Sequence, residues 1–171
     1  MLRKTTRATL RRLFRAALAI ALLGAAPTQA ADNDGAPATP RFSSLRSDEV
    51  NLRAGPGERY PIEWVYRRAG YPVEIVAQFD VWRQIRDADG TLGWVHQSLL
   101  SGRRTALVTG GVRTFRIEPG GSADGVALAE PGVMVDLKTC EDEWCEVTAR
   151  GYTGWLRRDE MWGVDARETL R

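Results

Sequence analysis

"LRAGPG" at residues 52–57 has a worn copy of itself, "FRIEPG", at residues 115–120. Taken alone, the first stretch admits two readings. A basic residue beside two glycines resembles a phosphate-cradling loop, while a proline between glycines resembles a turn that reverses a strand. A phosphate loop needs G-x-x-x-x-G-K-[ST] between a strand and a helix. Here the lysine is absent, the spacing differs and no helical pattern follows. The turn reading stands, with glycine supplying positive φ and Pro56 fixing its own φ.

Outward from this pair the likeness extends along most of the chain. "GYPVEIVAQFDVW" (70–82) lies beside "GVMVDLKTCEDEW" (132–144) at an offset of 62. "WRQIRDADGTLGWV" (82–95) lies beside "WCEVTARGYTGWL" (144–156), with Gly93-Trp94 matching Gly154-Trp155 at an offset of 61. One residue is lost in a turn, where deletions cost least. The chain therefore holds two divergent copies of one unit, 45–104 and 110–165. Their structural repeat positions are Gly55, Gly57, Trp82, Gly93 and Trp94 in the first copy, and Trp144, Gly154 and Trp155 in the second.

Each copy reads as short strands between turns. "VEIVAQF" is β-branched and aromatic, and "DADG" and "ARGY" are turn chemistry. "HQSLLSG" and "RRDEMWG" hold the same place after the Gly-Trp strand and predict a single 3₁₀ turn. Trp82 and Ile85, like Trp144 and Val147, break period two at the same point, which predicts a bulge or strong bend there. Short twisted strands in about 60 residues cover their edges by closing into a small barrel. "VNLRAGPG", a Gly-led strand, W-x-x-[IV] and GW[VL] together resemble the bacterial SH3-like (SH3b) domain. The expected fold class is all-β, two tandem small SH3-like β-barrels. The first copy is the closer match, and "YPIEWVYRRAG" and "GWVHQSLLSGRRT" are similar to SH3-like proteins exported by Gram-negative bacteria. In the second copy Glu118 replaces the first turn glycine, and "YPIEW" has no counterpart. The resemblance implies a five- to seven-stranded barrel and a noncatalytic binding or targeting role in the cell envelope.

The first thirty residues read as an export signal. Arg3, Lys4, Arg7, Arg11, Arg12 and Arg15 precede the apolar run "AALAIALLGAA", which is too short to span a bilayer, and small residues follow. The expected cut is after Ala30, leaving no membrane span and a periplasmic or secreted protein. "RRLF" also touches the twin-arginine pattern, but Leu10 weakens it, which favours the ordinary secretory route. The full chain has 24 basic and 22 acidic residues. Six basic residues leave with the signal, so the mature chain carries 18 against 22 and has no electrostatic footprint for nucleic acid. Residues 31–44 read as a flexible leader and 166–171 as a tail. The linker "RRTALVTGG" is short and partly apolar, so the copies are expected to pack together. Residues 41–104 carry ten basic and eight acidic groups and residues 110–165 six and eleven, an opposition that would help orient them.

Cys140 and Cys145 flank "EDEW". In an exported chain a disulfide is the default, and closing so short a loop contributes about 2 kcal/mol. A closed zinc site wants four ligands, and the single histidine, His96, lies in the other copy. C-x4-C is also not the redox spacing C-x-x-C. No G-x-S-x-G or H-E-x-x-H appears. The reading is a protein without catalytic residues, metal or cofactor.

The candidate ligand residues are Tyr60, Trp64, Tyr66, Arg67 and Arg68, gathered in "RYPIEWVYRR" of the first copy alone. Aromatics with a rigid face and a polar tip suit extended peptides, and arginines meet carboxylates bidentately. Peptidoglycan peptides and acidic segments of an envelope protein both carry carboxylates. The bland alternative is that Trp64 and Tyr66 close the barrel or cement it to the second copy. Arg53 and Arg116 hold the same place in each copy and are read as a shared structural ion pair.

Overall fold

The structure, a computed structural model, describes residues 40–170. The expected export signal with its cut, residues 31–39 of the expected leader, and Arg171 lie outside the described residues. The first repeat contains β1 (Arg41–Leu45), β2 (Val50–Arg53), β3 (Ile62–Tyr66), β4 (Pro72–Phe79), β5 (Trp82–Arg86), β6 (Leu92–His96) and β7 (Leu100–Ser101). The second contains β8 (Thr105–Val108), β9 (Arg113–Arg116), β10 (Gly125–Ala129), β11 (Met134–Glu141), β12 (Trp144–Ala149), β13 (Tyr152–Arg157) and β14 (Met161–Trp162). Each repeat forms one seven-stranded sheet. The orders are β3-β2-β6-β5-β4-β1-β7 and β10-β9-β13-β12-β11-β8-β14, the same topology twice. The fold is all-β, with two SH3-like barrels in tandem.

Local chemistry explains the shared path. The β4–β5 and β11–β12 hairpins turn on Asp80 (φ 49°) and Asp142 (φ 46°), a left-handed conformation that Asp tolerates better than most residues. Gln97–Leu99 and Arg158–Glu160 form the two expected 3₁₀ turns. His96 caps the first, its Nδ1 accepting the Ser98 N–H at 3.2 Å. A bulge occurs in both copies, but one strand earlier than expected. The register shifts between Ile75 and Ala77 in β4, and between Leu137 and Thr139 in β11. The extra residues are Val76 and Lys138. Trp82 and Ile85 do not break period two; they occupy opposite faces of β5. Ile85 is in the core, whereas Trp82 packs edge-on against His96 outside it, with centroids 5.6 Å apart.

The cores are separate and built differently. The first is mostly aliphatic, around Leu45, Val50, Leu52, Val73, Ile75 and Ile85. The second is built around Phe115, Val135, Val147, Leu156 and the Cys140–Cys145 disulfide. The two cysteines are cross-strand partners on β11 and β12, with Cα atoms 4.1 Å apart. The first copy has the polar pair Gln78 and Arg83 at the matching register.

Three boundaries differ from the sequence reading. Residues 41–44, read as leader, belong to β1, which lies between β4 and β7. Its serines are buried because their hydroxyls are satisfied: Ser44 Oγ donates to Arg103 O at 2.7 Å and Ser43 Oγ to Ser101 O at 2.9 Å. Thr105–Val108, read as linker, is β8, buried along its whole length. Leu170, read as tail, receives the Cys140 N–H at its carbonyl, and Glu168 takes a two-pronged bond from Arg104 at 2.6 and 2.8 Å.

Several contacts join the repeats. The buried Thr105 Oγ1 donates to Gly70 O at 2.6 Å. Arg103 grips both oxygens of Asp136 at 2.6 and 2.8 Å. Phe42 of β1 meets Trp162 of β14 edge-on, with centroids 5.2 Å apart.

Candidate functional site

The edge strand β3 positions the site. Trp64 stands opposite Leu52, and Tyr66 opposite Val50, so both point toward the barrel interior. Tyr66 reaches the core and is 7% exposed, whereas Trp64 sits at the open rim and is 57% exposed. The Tyr66 hydroxyl donates to Asp87 Oδ2 at 2.9 Å. Asp87 is itself buried. Its Oδ1 accepts the N–H groups of Asp89 at 3.0 Å and Thr91 at 2.8 Å, an Asx turn that builds the β5–β6 hairpin. Tyr71 stacks on Tyr66 with centroids 5.7 Å apart. Trp64, Tyr66, Tyr71, Asp87, Asp89 and Thr91 together line a cleft of about 270 Å³. Burial, then the bond it donates to Asp87, pushes the Tyr66 hydroxyl far above the ordinary tyrosine range. Burial, then the charges of Asp87 and Asp89, also raises Tyr71.

Of the five residues singled out in the sequence, the fold brings Trp64 and Tyr66 into this cleft. Tyr60 belongs to the turn instead: its ring covers Gly55 so closely that a Cβ there would come within 2.5 Å of it. Gly55 and Gly57 do not have positive φ, so the turn needs glycine at position 55 for space and not for handedness. Arg67 pairs with Glu49 at 3.2 Å on the exposed surface. Arg68 is exposed, and its carbonyl accepts the Tyr71 N–H at 3.3 Å. Sequence reasoning missed Tyr71, Asp87, Asp89 and Thr91 as lining residues. The signal was present in "DADG", but as turn chemistry it did not show which strand the turn would face.

The repeat positions sort into recognisable jobs. A Cβ at Gly93 would strike the Leu52 side chain at 2.5 Å, and one at Gly154 would meet Phe115 Cβ at 2.9 Å, so both admit a core residue of the neighbouring strand. Trp144 lies beneath the guanidinium groups of Arg116 and Arg157, 5.3 and 5.9 Å from its centroid. Trp94 and Trp155 are half-buried partners of Arg53 and Arg116 across the sheet. The expected shared ion pair is found only in the second copy, where Arg116 approaches Glu160 at 3.6 Å. Arg53 instead clasps the turn by donating to the carbonyls of Glu58 and Tyr60 at 3.0 and 2.8 Å. Leu99 stands where the second copy has Glu160, so Arg53 has no matching acid.

The second repeat has a cleft at the equivalent place, of about 540 Å³. There Ala127, Ala129, Val133 and Ala149 replace Trp64, Tyr66, Tyr71 and Asp87, and Arg150 and Tyr152 complete the wall. "YPIEW" thus has a counterpart in strand β10 but none in side-chain chemistry. No helix among the described residues is long and apolar enough to cross a membrane.

No match was found among curated proteins. Among solved structures the chain is similar to NlpC1 of Trichomonas vaginalis, at 15% identity and a TM-score of 0.34 over 74% of this chain and 46% of that one. It is also similar to an NlpC/P60 family protein of Bacillus cereus, at 14% identity and a TM-score of 0.32 over 70% and 55%. The chain spans about half the length of these structures. The bacterial SH3 domain profile matches residues 46–102 and again residues 114–163, one match in each repeat. Such domains are generally binding modules. The chain belongs to the bacterial SH3 domain family, which it represents twice in tandem.

Proposed function

We propose that the protein is a noncatalytic recognition module of the cell envelope, exported by its first thirty residues, and that its first domain binds a peptidoglycan peptide or a protein partner. The observation that carries this reading is Trp64, a large aromatic left 57% exposed at the rim of a cleft that the second repeat rebuilds with alanines. Tryptophan is enriched where proteins meet partners, because it offers a large rigid face with a polar tip. The disulfide suits an oxidising compartment. The test is sedimentation with purified peptidoglycan, run beside pull-down from envelope extract. Trp64→Ala weakens capture about tenfold, an expectation in line with loss of a central aromatic anchor. Arg67→Ala, outside the cleft, leaves capture unchanged. Undiminished capture by the Trp64 variant in both assays overturns the proposal.

A second reading, association with another protein or another copy of the chain, rests on the second repeat. Its edge strand β10 has no charged residue, and Leu128 and Val126 on it are exposed. Uncharged edges are templates for pairing. Light scattering tests it: a concentration-dependent dimer that Leu128→Lys abolishes supports association, and a monomer at all concentrations removes self-association.

A further inference from the structure

We infer that the first-domain cleft recognises an ammonium group, presented at the tip of an extended side chain. This rests on the reading of that domain as the binding one and reverses the charge preference expected from its arginines. Those arginines stay out of the lining: Arg67 is committed to Glu49, and the cleft wall holds two carboxylates and three aromatic rings but no arginine or lysine.

Both oxygens of Asp87 are held by uncharged donors, the Tyr66 hydroxyl and the amides of Asp89 and Thr91. These bonds fix the carboxylate without cancelling its charge. Its field is felt across the cleft, since both tyrosines resist ionisation partly because of Asp87 and Asp89. Arg68 acts on Tyr71 in the opposite sense, but less than either carboxylate. A cation entering here meets fixed negative charge and aromatic rings in one lining, Trp64 being the most open of them, and ring faces attract cations. A cleft of about 270 Å³ accommodates a side-chain tip, not a whole peptide. The second repeat is an internal contrast: at the same place it has Ala149 for Asp87, adds Arg150, and keeps neither tyrosine of the stack.

The test titrates the full mature chain with Nα-acetyl-lysine amide and with the same compound acetylated at Nε, following the Trp64 indole signal by NMR. In parallel, purified peptidoglycan is sedimented with the protein before and after acetylation of its amino groups. The free amine is expected to bind at least tenfold more tightly than the acetylated form. Asp89→Asn should remove that preference while keeping the wild-type melting curve. Loss of wall binding on acetylation places the ammonium on the wall, whereas lysine preference with no wall binding places it on a protein partner. Equal binding of the two lysine amides overturns the inference. If wall binding still depends on Trp64 but ignores acetylation, the envelope function stands and the ammonium reading falls. If neither wall nor extract is captured while the lysine preference persists, the ammonium reading stands and the envelope function falls.

Discussion

At one place in each repeat the barrel opens a cleft, and the two clefts are lined by different chemistry. In the first, Trp64, Tyr66 and Tyr71 stand beside Asp87 and Asp89; in the second, Ala127, Ala129 and Val133 stand beside Arg150. Strand order, bulge position and the turn bond from residue 54 to 61, matched by 117 to 124, are the same in both. The difference teaches which positions the fold constrains. Residues opposite the core strands must fill a barrel, and Gly93 and Gly154 must let them in. The rim of the edge strand carries no such demand, so its side chains are free to diverge toward separate tasks. Stability has diverged too. The second copy places a buried disulfide where the first has the Gln78–Arg83 pair, and the first copy ties its aromatic edge strand to the hairpin through Tyr66 and Asp87.

The strongest way to break the symmetry is through the core. Phe115→Ala, which empties the centre of the second barrel, should cost about 3–5 kcal/mol in chemical denaturation. Leu52→Ala at the matching position should cost about 2–5 kcal/mol, with the smaller residue leaving the smaller cavity. Replacing Cys140 and Cys145 together by alanine should lower stability by about 2 kcal/mol or more, because the unfolded loop regains its freedom and buried volume is lost. The same pair of changes at Gln78 and Arg83 should cost less, and an equal loss would contradict the division of labour. Thr105→Val leaves the buried Gly70 carbonyl without its donor, at a cost of about 1–3 kcal/mol. Calorimetry should then show the repeats unfolding in separate transitions if this contact couples them.

A pH series sharpens the comparison on the first copy alone. Tyr66 ionises far less readily when folded than when unfolded, where its range is near pH 10. Its raised folded value means the stabilisation is fully present below about pH 10 and is lost as pH climbs above that. Tyr66→Phe should flatten the alkaline fall in stability, and an unchanged fall would show that ionisation of this buried hydroxyl does not drive it. The smallest effect belongs to the surface: Arg67→Ala breaks only an exposed pair with Glu49 and should cost well under about 1 kcal/mol by thermal melting.

The repeat, the strand content and the turns were legible because they depend on neighbours in the chain. "FRIEPG" closes its turn with the same bond as "LRAGPG" although Glu118 has replaced a glycine, since Ala123 stands where Tyr60 covers Gly55 and no ring demands the space. The opening strand of each repeat was not legible. "RFSSL" looks polar, and only the carbonyls of Ser101 and Arg103, 58 and 59 residues away in sequence, make its serines cheap to bury. Four of the six residues of the candidate site were also hidden. Trp64 and Tyr66 announce themselves as a local aromatic cluster, but Asp87 joins them only when β5 and β6 bring their hairpin back to β3.

The sequence by itself determined that one β unit occurs twice, that the second copy carries a cysteine pair, and that the first copy alone has an aromatic strand at its rim. These are local matters of spacing and residue type. The tertiary structure alone decided what surrounds that strand. Charge and hydrogen-bond partners in a barrel come from strands distant in sequence, and their pairing set acids, not the adjacent arginines, against Trp64.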